Sequence, residues 1–349
     1  MLVQVERKHL LFNLFFCRFL EKNGFRCYFI WTTKRVINKP NGLSMKHFYV
    51  FSGQGAQVPG MGRDLYEASA GAKAVFDAAD AALGYKISDI IFNGPAETLT
   101  SSIHCQCAIY TMSCAALAAF REKFGNLPAP VACAGLSLGE YAALHAAGAV
   151  SFEDGIVLLS KRGKFMDEAC KANPGTMASV LGGDRAVIEE VAAACGIDVA
   201  NYNSPAQIVI SGTVDGVGKA VEELKARGMR KVIPLNVAGA FHSRLMADAG
   251  KQLASALENT ALNMPAVPVY HNFTADTAKD VDDMRSLLAS QVAGSVRWEE
   301  CLRRAVAAGA DTVIEFGPGH VLTGLAKRTI PELKLVNINS VDTLNAAEF

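Results

Sequence analysis

From residue 45 onward, short runs rich in β-branched and aromatic residues alternate with Ala-rich segments, and this alternation restricts the fold more than any other feature of the sequence. The runs that we predict to be strands are residues 48–51, 131–134, 267–273, 312–316 and 335–338. The intervening segments 71–83 and 108–124 have helical composition. The pattern predicts an α/β domain with a largely parallel sheet. The chain has 349 residues, half of them hydrophobic, and can bury a substantial core.

One stretch has a different rhythm, in which two helical segments separate four short strands. The strands are predicted at 176–181, 198–202, 207–211 and 230–235, and the helices at 184–195 and 214–227. The order β-α-β-β-α-β is that of the ferredoxin-like unit. We therefore predict a large α/β domain formed by 45–172 and 237–349, with a small ferredoxin-like subdomain inserted at 173–236. A cleft between two such parts commonly binds a ligand.

The charge of the chain is balanced overall but not along its length. Lys plus Arg and Asp plus Glu both total 34, so we predict neither nucleic acid nor a membrane as a partner. Residues 1–44 nevertheless contain eight basic and two acidic side chains, which makes them a basic N-terminal extension to a mildly acidic body. Composition favours the hypothesis that translation begins at Met45 and that the protein is cytoplasmic. The alternative is a plastid or mitochondrial transit peptide, although Ser44 is the only serine in the segment.

The nine cysteines are scattered, without the paired spacing of a disulfide framework or a zinc site. Cys105 and Cys107 lie two residues apart, but no second Cys or His pair follows at the spacing that zinc requires. We predict reduced thiols and no metal site.

A predicted buried strand at 131–134 runs into the sequence GLSLGE, which places Ser137 in a G-x-S-x-G motif before an Ala-rich helix. This strand-turn-helix context is that of a nucleophile elbow. Gly135 and Gly139 allow the sharp turn that exposes the serine hydroxyl, and the following helix N-terminus suits a developing oxyanion. The alternative is a glycine-rich turn in which the serine only caps the helix.

A serine nucleophile needs a base, and the chain has seven histidines. His242 is the leading candidate because it follows the last strand of the predicted insert, where the chain would return to the cleft. Spacing alone does not exclude His104, His271 or His320.

An arginine lies on the apolar face of the helix that we predict to begin with Ser151 as its N-cap. Arg162 follows Leu158 by four residues and precedes Phe165 by three, so its guanidinium faces inward. A buried guanidinium needs an anion. That anion would be either a core carboxylate or the carboxylate of a substrate, which an arginine fork can bind through two parallel hydrogen bonds.

From about residue 48 to about residue 325, the sequence resembles the malonyl-CoA:acyl carrier protein transacylase family. Six segments resemble the family's motifs in the family's order: FSGQGAQ at 51–57, GLSLGEY at 135–141, KRGKFM at 161–166, NYNSPAQIVISG at 201–212, FHS at 241–243 and GPGHVLTGL at 317–325. The resemblance implies a large hydrolase-like α/β domain with a parallel sheet and an inserted ferredoxin-like subdomain.

The resemblance also implies roles for individual residues. Ser137 would be the nucleophile and His242 its base, while Gln54 and the backbone N–H of Leu138 would form the oxyanion hole. Arg162 would bind the malonyl carboxylate. The remaining implied roles are those of Phe241, which would favour malonyl over methylmalonyl groups, and of Gln291, near the main-chain carbonyl that orients the histidine.

The implied reaction is a two-step exchange through a malonyl-serine intermediate. Malonyl-CoA would be the donor and the phosphopantetheine thiol of acyl carrier protein the acceptor, with no cofactor and with the enzyme acting as a monomer. The product would supply extender units for fatty acid biosynthesis, or alternatively for polyketide synthesis.

Four positions depart from the family's pattern without removing a catalytic group. Leu136 stands where many members have His, Ala206 where Gly is common, Ser295 where Pro is usual, and His320 where Lys is common.

The sequence also allows two other functions. The first is a serine esterase or thioesterase, in which Asp184, Asp198 or Asp215 would complete a triad. The second is a docking subunit for a carrier protein with a vestigial site, against which the joint presence of the predicted site residues argues.

Overall fold

The structure, a computed structural model, describes residues 45–349, which contain two four-stranded sheets. The basic segment 1–44 and both hypotheses about it lie outside the described residues. The elements in chain order are β1 (His47–Phe51), α1 (Arg63–Ala68), α2 (Ala70–Leu83), α3 (Ile87–Asn93), α4 (Ala96–Thr100), α5 (Ser102–Phe124), β2 (Ala132–Gly135), α6 (Gly139–Ala146), α7 (Phe152–Ala172), β3 (Gly175–Leu181), α8 (Arg185–Ala194), β4 (Asp198–Ser204), β5 (Gln207–Thr213), α9 (Val214–Ala226), β6 (Lys231–Pro234), a 3-10 turn (Arg244–Met246), α10 (Ala247–Glu258), α11 (Val281–Gln291), α12 (Trp298–Ala307), β7 (Thr312–Phe316), α13 (Val321–Thr329), β8 (Lys334–Ile338) and α14 (Val341–Ala346).

The larger sheet is parallel throughout, with the strand order β2-β1-β7-β8. Every residue of β1, β2 and β7 is buried, which explains why these strands are mostly apolar, apart from His47, Thr312 and Glu315, rather than alternating. The carboxyl ends of β1 and β2 lie side by side, because Phe51 pairs with Gly135. That edge of the sheet is where open α/β folds bind ligands.

The strand predicted at 267–273 is wrong. Its pairing with β2 is a single bridge, from Val269 to Cys133, and His271 forms a separate bridge to Asp276. The Pro268 carbonyl accepts a hydrogen bond from the Cys133 N–H at 2.8 Å, and the Tyr270 N–H donates to the Cys133 carbonyl at 3.0 Å. Proline has no N–H and cannot extend a ladder, so pairing stops at a single bridge.

The smaller sheet is antiparallel, with the order β4-β5-β3-β6, and α8 and α9 connect its strands. It has a hydrophobic core of its own, centred on residues such as Ala178, Val191, Ile210 and Leu224. The predicted fold class, a parallel α/β domain with an inserted β-α-β-β-α-β unit, is confirmed. The domain boundaries stay a prediction, because the described residues form one compact unit.

Helix α5 is the central core helix and begins at Ser102, six residues earlier than predicted. Among the described residues it is the one helix long and apolar enough to cross a bilayer, but 83% of its apolar window is buried inside the protein. Helix α7 packs closely on it. A Cβ at Gly163 would collide with the Ser102 carbonyl, and one at Gly155 with the Tyr110 hydroxyl. This close approach brings Arg162 of α7 against Gln106 of α5.

Candidate active site

Ser137 lies in a turn between β2 and α6 that is too tight for larger neighbours. Its φ is 54°, in the left-handed region that non-glycine residues rarely adopt. A Cβ at Gly135 would collide with the backbone of Gly139, and one at Gly139 would collide with the Phe51 carbonyl. The turn is therefore the strained elbow that the sequence predicts, and such strain is concentrated at functional sites.

His242 faces the serine, as predicted. Its Nε2 lies 2.8 Å from Ser137 Oγ, and its Nδ1 lies 2.8 Å from the main-chain oxygen of Gln291. A carbonyl oxygen can only accept, so Nδ1 carries the proton and Nε2 is free to accept the serine proton. Burial, followed by the positive charge of Arg162, lowers the pKa of His242 to about 4. The imidazole is therefore neutral at pH 7, the state that a general base requires.

Arg162 is 1% exposed and is held by neutral groups only. Nη1 donates to Gln106 Oε1 at 2.6 Å, and Nη2 donates to Gln291 Oε1 at 2.9 Å and to Ser137 Oγ at 3.0 Å. Nε forms no hydrogen bond with a described residue. Within residues 45–349 no carboxylate lies within 4.0 Å of the guanidinium, so the hypothesis of a direct ion pair in the core is wrong for this part of the chain. A buried positive charge thus reaches the Ser137 hydroxyl without a directly paired anion among the described residues.

A set of buried polar residues holds the turn at Ser137 in place. Asn272 Oδ1 accepts from the Ser137 N–H at 2.6 Å, and Asn272 Nδ2 donates to the Gly135 carbonyl at 2.8 Å. Glu140 accepts from the Asn272 N–H at 2.8 Å and contacts His271 Nδ1 at 2.7 Å. These hydrogen bonds fix the strained turn against the large domain.

The other predicted site residues lie where their roles are sterically possible. Leu138 immediately precedes α6, and its N–H makes no hydrogen bond to another described residue. Gln54 follows β1 in a turn next to Gly53, whose added Cβ would lie 2.7 Å from the Leu136 carbonyl. Phe241 is 6% exposed and packs in the main core. Their roles stay predictions.

The proposed triad carboxylates are absent from the dyad. Asp184 caps α8, Asp198 binds Arg244, and Asp215 pairs with Lys219. The position that a triad carboxylate would fill, against His242 Nδ1, is occupied by the Gln291 carbonyl. The triad hypothesis is therefore wrong for all three aspartates.

The other candidate histidines serve elsewhere. His271 is buried against Glu140, His104 lies 3.3 Å from the Tyr85 hydroxyl, and His320 precedes α13. His242 is therefore the one of the four that meets Ser137.

His242 lines a cleft of about 310 Å³, whose other lining residues include members of α8 and β4. Gly294 and Tyr202 of β4 also line it.

Sequence reasoning missed Gln106, Asn272 and the contacts of Glu140. Gln106 is a fully buried amide in a mostly apolar helix. A polar side chain on an apolar face is also the signal at Arg162, but the predicted helix began two residues after Gln106. Asn272 follows the bridge at Val269 and so lies at the carboxyl edge of the sheet, where functional side chains collect.

No group of three or more His, Cys, Asp or Glu side chains is placed to hold a metal within residues 45–349. Burial raises the pKa of both Cys105 and Cys107 to about 12, so these core thiols remain protonated at neutral pH.

Comparison with known proteins gives consistent matches. Residues 48–345 match the model of the acyl transferase domain. The malonyl CoA-acyl carrier protein transacylase of Bacillus subtilis is 42% identical over 304 residues, which cover 86% of this chain and 95% of the relative. The structure of an acyl-carrier-protein-S-malonyltransferase from Bartonella henselae has a TM-score of 0.83 at 37% identity, with 86% of this chain and 98% of that chain covered. A malonyl-transacylase solved in complex with its type II polyketide synthase acyl-carrier protein has a TM-score of 0.83 at 34% identity, with the same coverage.

Proposed function

The chain belongs to the malonyl-CoA:acyl carrier protein transacylase family, and we propose that it transfers a malonyl group from coenzyme A to the phosphopantetheine thiol of an acyl carrier protein. It is an enzyme of the acyltransferase class, an [acyl-carrier-protein] S-malonyltransferase. The proposed reaction uses no cofactor, since both coenzyme A and the phosphopantetheine arm are substrates.

One observation supports the malonyl group in particular. The guanidinium of Arg162 is buried, has no carboxylate beside it among the described residues, and donates to the nucleophile at 3.0 Å. An acyl group bound to Ser137 would therefore have its far end within reach of a fixed positive charge. A malonyl group carries a carboxylate there, which offsets the cost of burying the guanidinium. An acetyl group offers nothing to it.

In the first step Ser137 attacks the thioester carbonyl while its proton passes to Nε2 of His242. The carbonyl oxygen becomes negative, and we assign its stabilisation to the Leu138 N–H and to Gln54. The carbon–sulfur bond then breaks, and the imidazolium returns its proton to the coenzyme A sulfur. The Gln291 carbonyl holds the ring in the correct tautomer throughout and also accepts a hydrogen bond from the charged ring.

The second step reverses the first with a different thiol. The neutral His242 takes the proton of the phosphopantetheine thiol, the sulfur attacks the malonyl-serine ester, and Ser137 recovers its proton from the imidazolium. Because both steps use the same groups, the reaction is a ping-pong exchange.

We assign the acceptor to the acyl carrier protein of fatty acid biosynthesis, with a polyketide carrier as the alternative. The family includes a malonyl-transacylase solved with a polyketide carrier, so the carrier decides the pathway. Rates of malonyl transfer to each purified holo-carrier would discriminate between the two. A preference for the polyketide carrier would overturn the fatty acid assignment.

Intact-protein mass spectrometry after brief incubation with malonyl-CoA tests the chemistry directly. We expect a malonyl adduct on the wild-type chain, no adduct on Ser137→Ala and a strongly reduced one on Arg162→Ala. Acetyl-CoA serves as the matched donor without a carboxylate. Steady release of coenzyme A without an adduct would instead make the protein a thioesterase.

A further inference from the structure

We propose that Glu140 is a positioning residue for this reaction, acting through the side chain of Gln291 on Arg162. Glu140 and Gln291 are both fully buried. Glu140 Oε2 accepts from Gln291 Nε2 at 2.8 Å, and Gln291 Oε1 accepts from Arg162 Nη2 at 2.9 Å. One amide therefore bridges a carboxylate and a guanidinium that do not touch. The inference rests on the proposed function, in which Arg162 binds the malonyl carboxylate.

The carboxylate helps to fix the orientation of the Gln291 amide, together with the Ser137 carbonyl and Arg162. An ionised carboxylate can only accept, so it requires the NH₂ end of the amide to face it. The oxygen end must then point away, toward Arg162. The same NH₂ group also donates to the Ser137 carbonyl at 3.0 Å. Without the carboxylate, the NH₂ group would keep only its bond to the Ser137 carbonyl, and the amide would be held by that bond and by the donor from Arg162, with one of its three hydrogen bonds lost.

The separation of the two charges suits substrate binding. A carboxylate in direct contact with Arg162 would compete with the substrate carboxylate for the guanidinium. Glu140 instead lies beyond a neutral amide, from where its negative charge offsets part of the cost of burying Arg162. The Nε of Arg162 makes no hydrogen bond to the described residues. The remaining contacts of Glu140, with His271 and Asn272, keep the carboxylate itself in place.

The prediction concerns selectivity as well as rate. We expect Glu140→Ala to lower acylation of Ser137 by malonyl-CoA about tenfold more than acylation by acetyl-CoA, because only the malonyl group uses Arg162. Glu140→Gln should keep the ratio of the malonyl to the acetyl acylation rate within about threefold of the wild-type ratio. The new amide oxygen can still accept from Gln291, and the new NH₂ group can donate to His271 Nδ1 once the His271 proton is on Nε2. A residue that served only to stabilise the fold would change both donors alike.

The experiment measures single-turnover acylation with each donor by quenched-flow mass spectrometry, on variants whose folding is checked by circular dichroism. Glu153→Ala is the matched control, because Glu153 is also a glutamate in the first turn of a helix but is exposed. Should Glu140→Ala not fold, Gln291→Leu removes both ends of the amide, keeps the main-chain carbonyl, and should lower the same ratio. In an Arg162→Ala background, the change at Glu140 should lower the ratio no further.

Equal losses with the two donors, or a further loss of selectivity in the Arg162→Ala background, would overturn the role of Glu140. A wild-type chain that prefers malonyl-CoA would then leave the proposed function standing. A wild-type chain that forms no malonyl adduct would instead overturn the proposed function and this inference with it.

Discussion

Replacing Arg162 by alanine removes a positive charge that is completely buried beside the nucleophile. In the wild-type chain this charge is met by two amide oxygens and the Ser137 hydroxyl, all of them neutral. A malonyl group on Ser137 would complete a buried ion pair, and breaking such a pair costs about 3–5 kcal/mol. At about 1.36 kcal/mol for each factor of ten, acylation by malonyl-CoA should fall about 150- to 5,000-fold. Acetyl-CoA has no carboxylate, so its acylation rate should change less than about tenfold.

The assay follows the mass of the acyl-enzyme at millisecond times under single-turnover conditions, with malonyl-CoA and acetyl-CoA in parallel. Lys171→Ala is the control, because it removes a positive charge from the exposed end of the same helix, where Lys171 pairs with Asp167. We expect the control to behave as the wild type. If Arg162→Ala reduced both donors equally while remaining folded, the guanidinium would not be a carboxylate site and the assignment of the malonyl group would fall.

Three further results should follow from the structure. The acylation rate with malonyl-CoA should stay level as the pH falls from 8, and it should decline only near the pKa of His242 in the free enzyme, about 4. A midpoint near 6.5 in the pH profile of kcat/KM would contradict a buried neutral base. Between pH 4 and 6.5 the folded state binds fewer protons at His242 than the unfolded state does, so the free energy of unfolding should rise with pH by up to about 3 kcal/mol. Urea titrations across this window should show a smaller rise of that free energy for His242→Ala. Gly139→Ala should lower the urea midpoint, because its Cβ would meet the Phe51 carbonyl, whereas Gly218→Ala, in an open helical position, should raise the free energy of unfolding by about 0.5–1 kcal/mol. Equal midpoints for the two glycine variants would argue against the tight elbow.

Most of the fold could be predicted because its signals are local. The β-α-β-β-α-β unit has strong helical and strand periodicity over each segment, and all six elements are found within two residues of their predicted ends. The exception at 267–273 was an apolar, β-branched run that pairs with β2 at one residue only, because Pro268 has no N–H to donate and the Asn272 N–H donates to Glu140. That proline matters only because its neighbours meet Cys133, more than 130 residues away, and no local pattern contains that contact.

The candidate site divides in the same way. Ser137 could be predicted because the strand, the glycines and the helix that define its turn are consecutive. The periodicity of α7 showed that Arg162 faces inward, but periodicity cannot show what lies opposite. The answer came from Gln106 and Gln291, which are 56 and 129 residues away from it along the chain. His242 could be placed first among four histidines because it follows the last strand of the predicted insert, but spacing alone did not exclude the other three, and only the resemblance assigned it as the base.

The guanidinium of Arg162 affects proton transfer from Ser137 to His242 in two opposing ways. Its charge adds to burial in lowering the pKa of His242, which makes the imidazole a weaker base. It also donates to Ser137 Oγ, where it stabilises the negative charge that builds up as the proton leaves. A bound malonyl carboxylate would neutralise the field that disfavours the imidazolium, whereas an acetyl group could not. The substrate would then raise the basicity of His242 as it binds, so that selectivity enters through proton transfer as well as through binding. The acid limb of kcat should accordingly lie at higher pH than that of kcat/KM with malonyl-CoA, while the two limbs should coincide with acetyl-CoA.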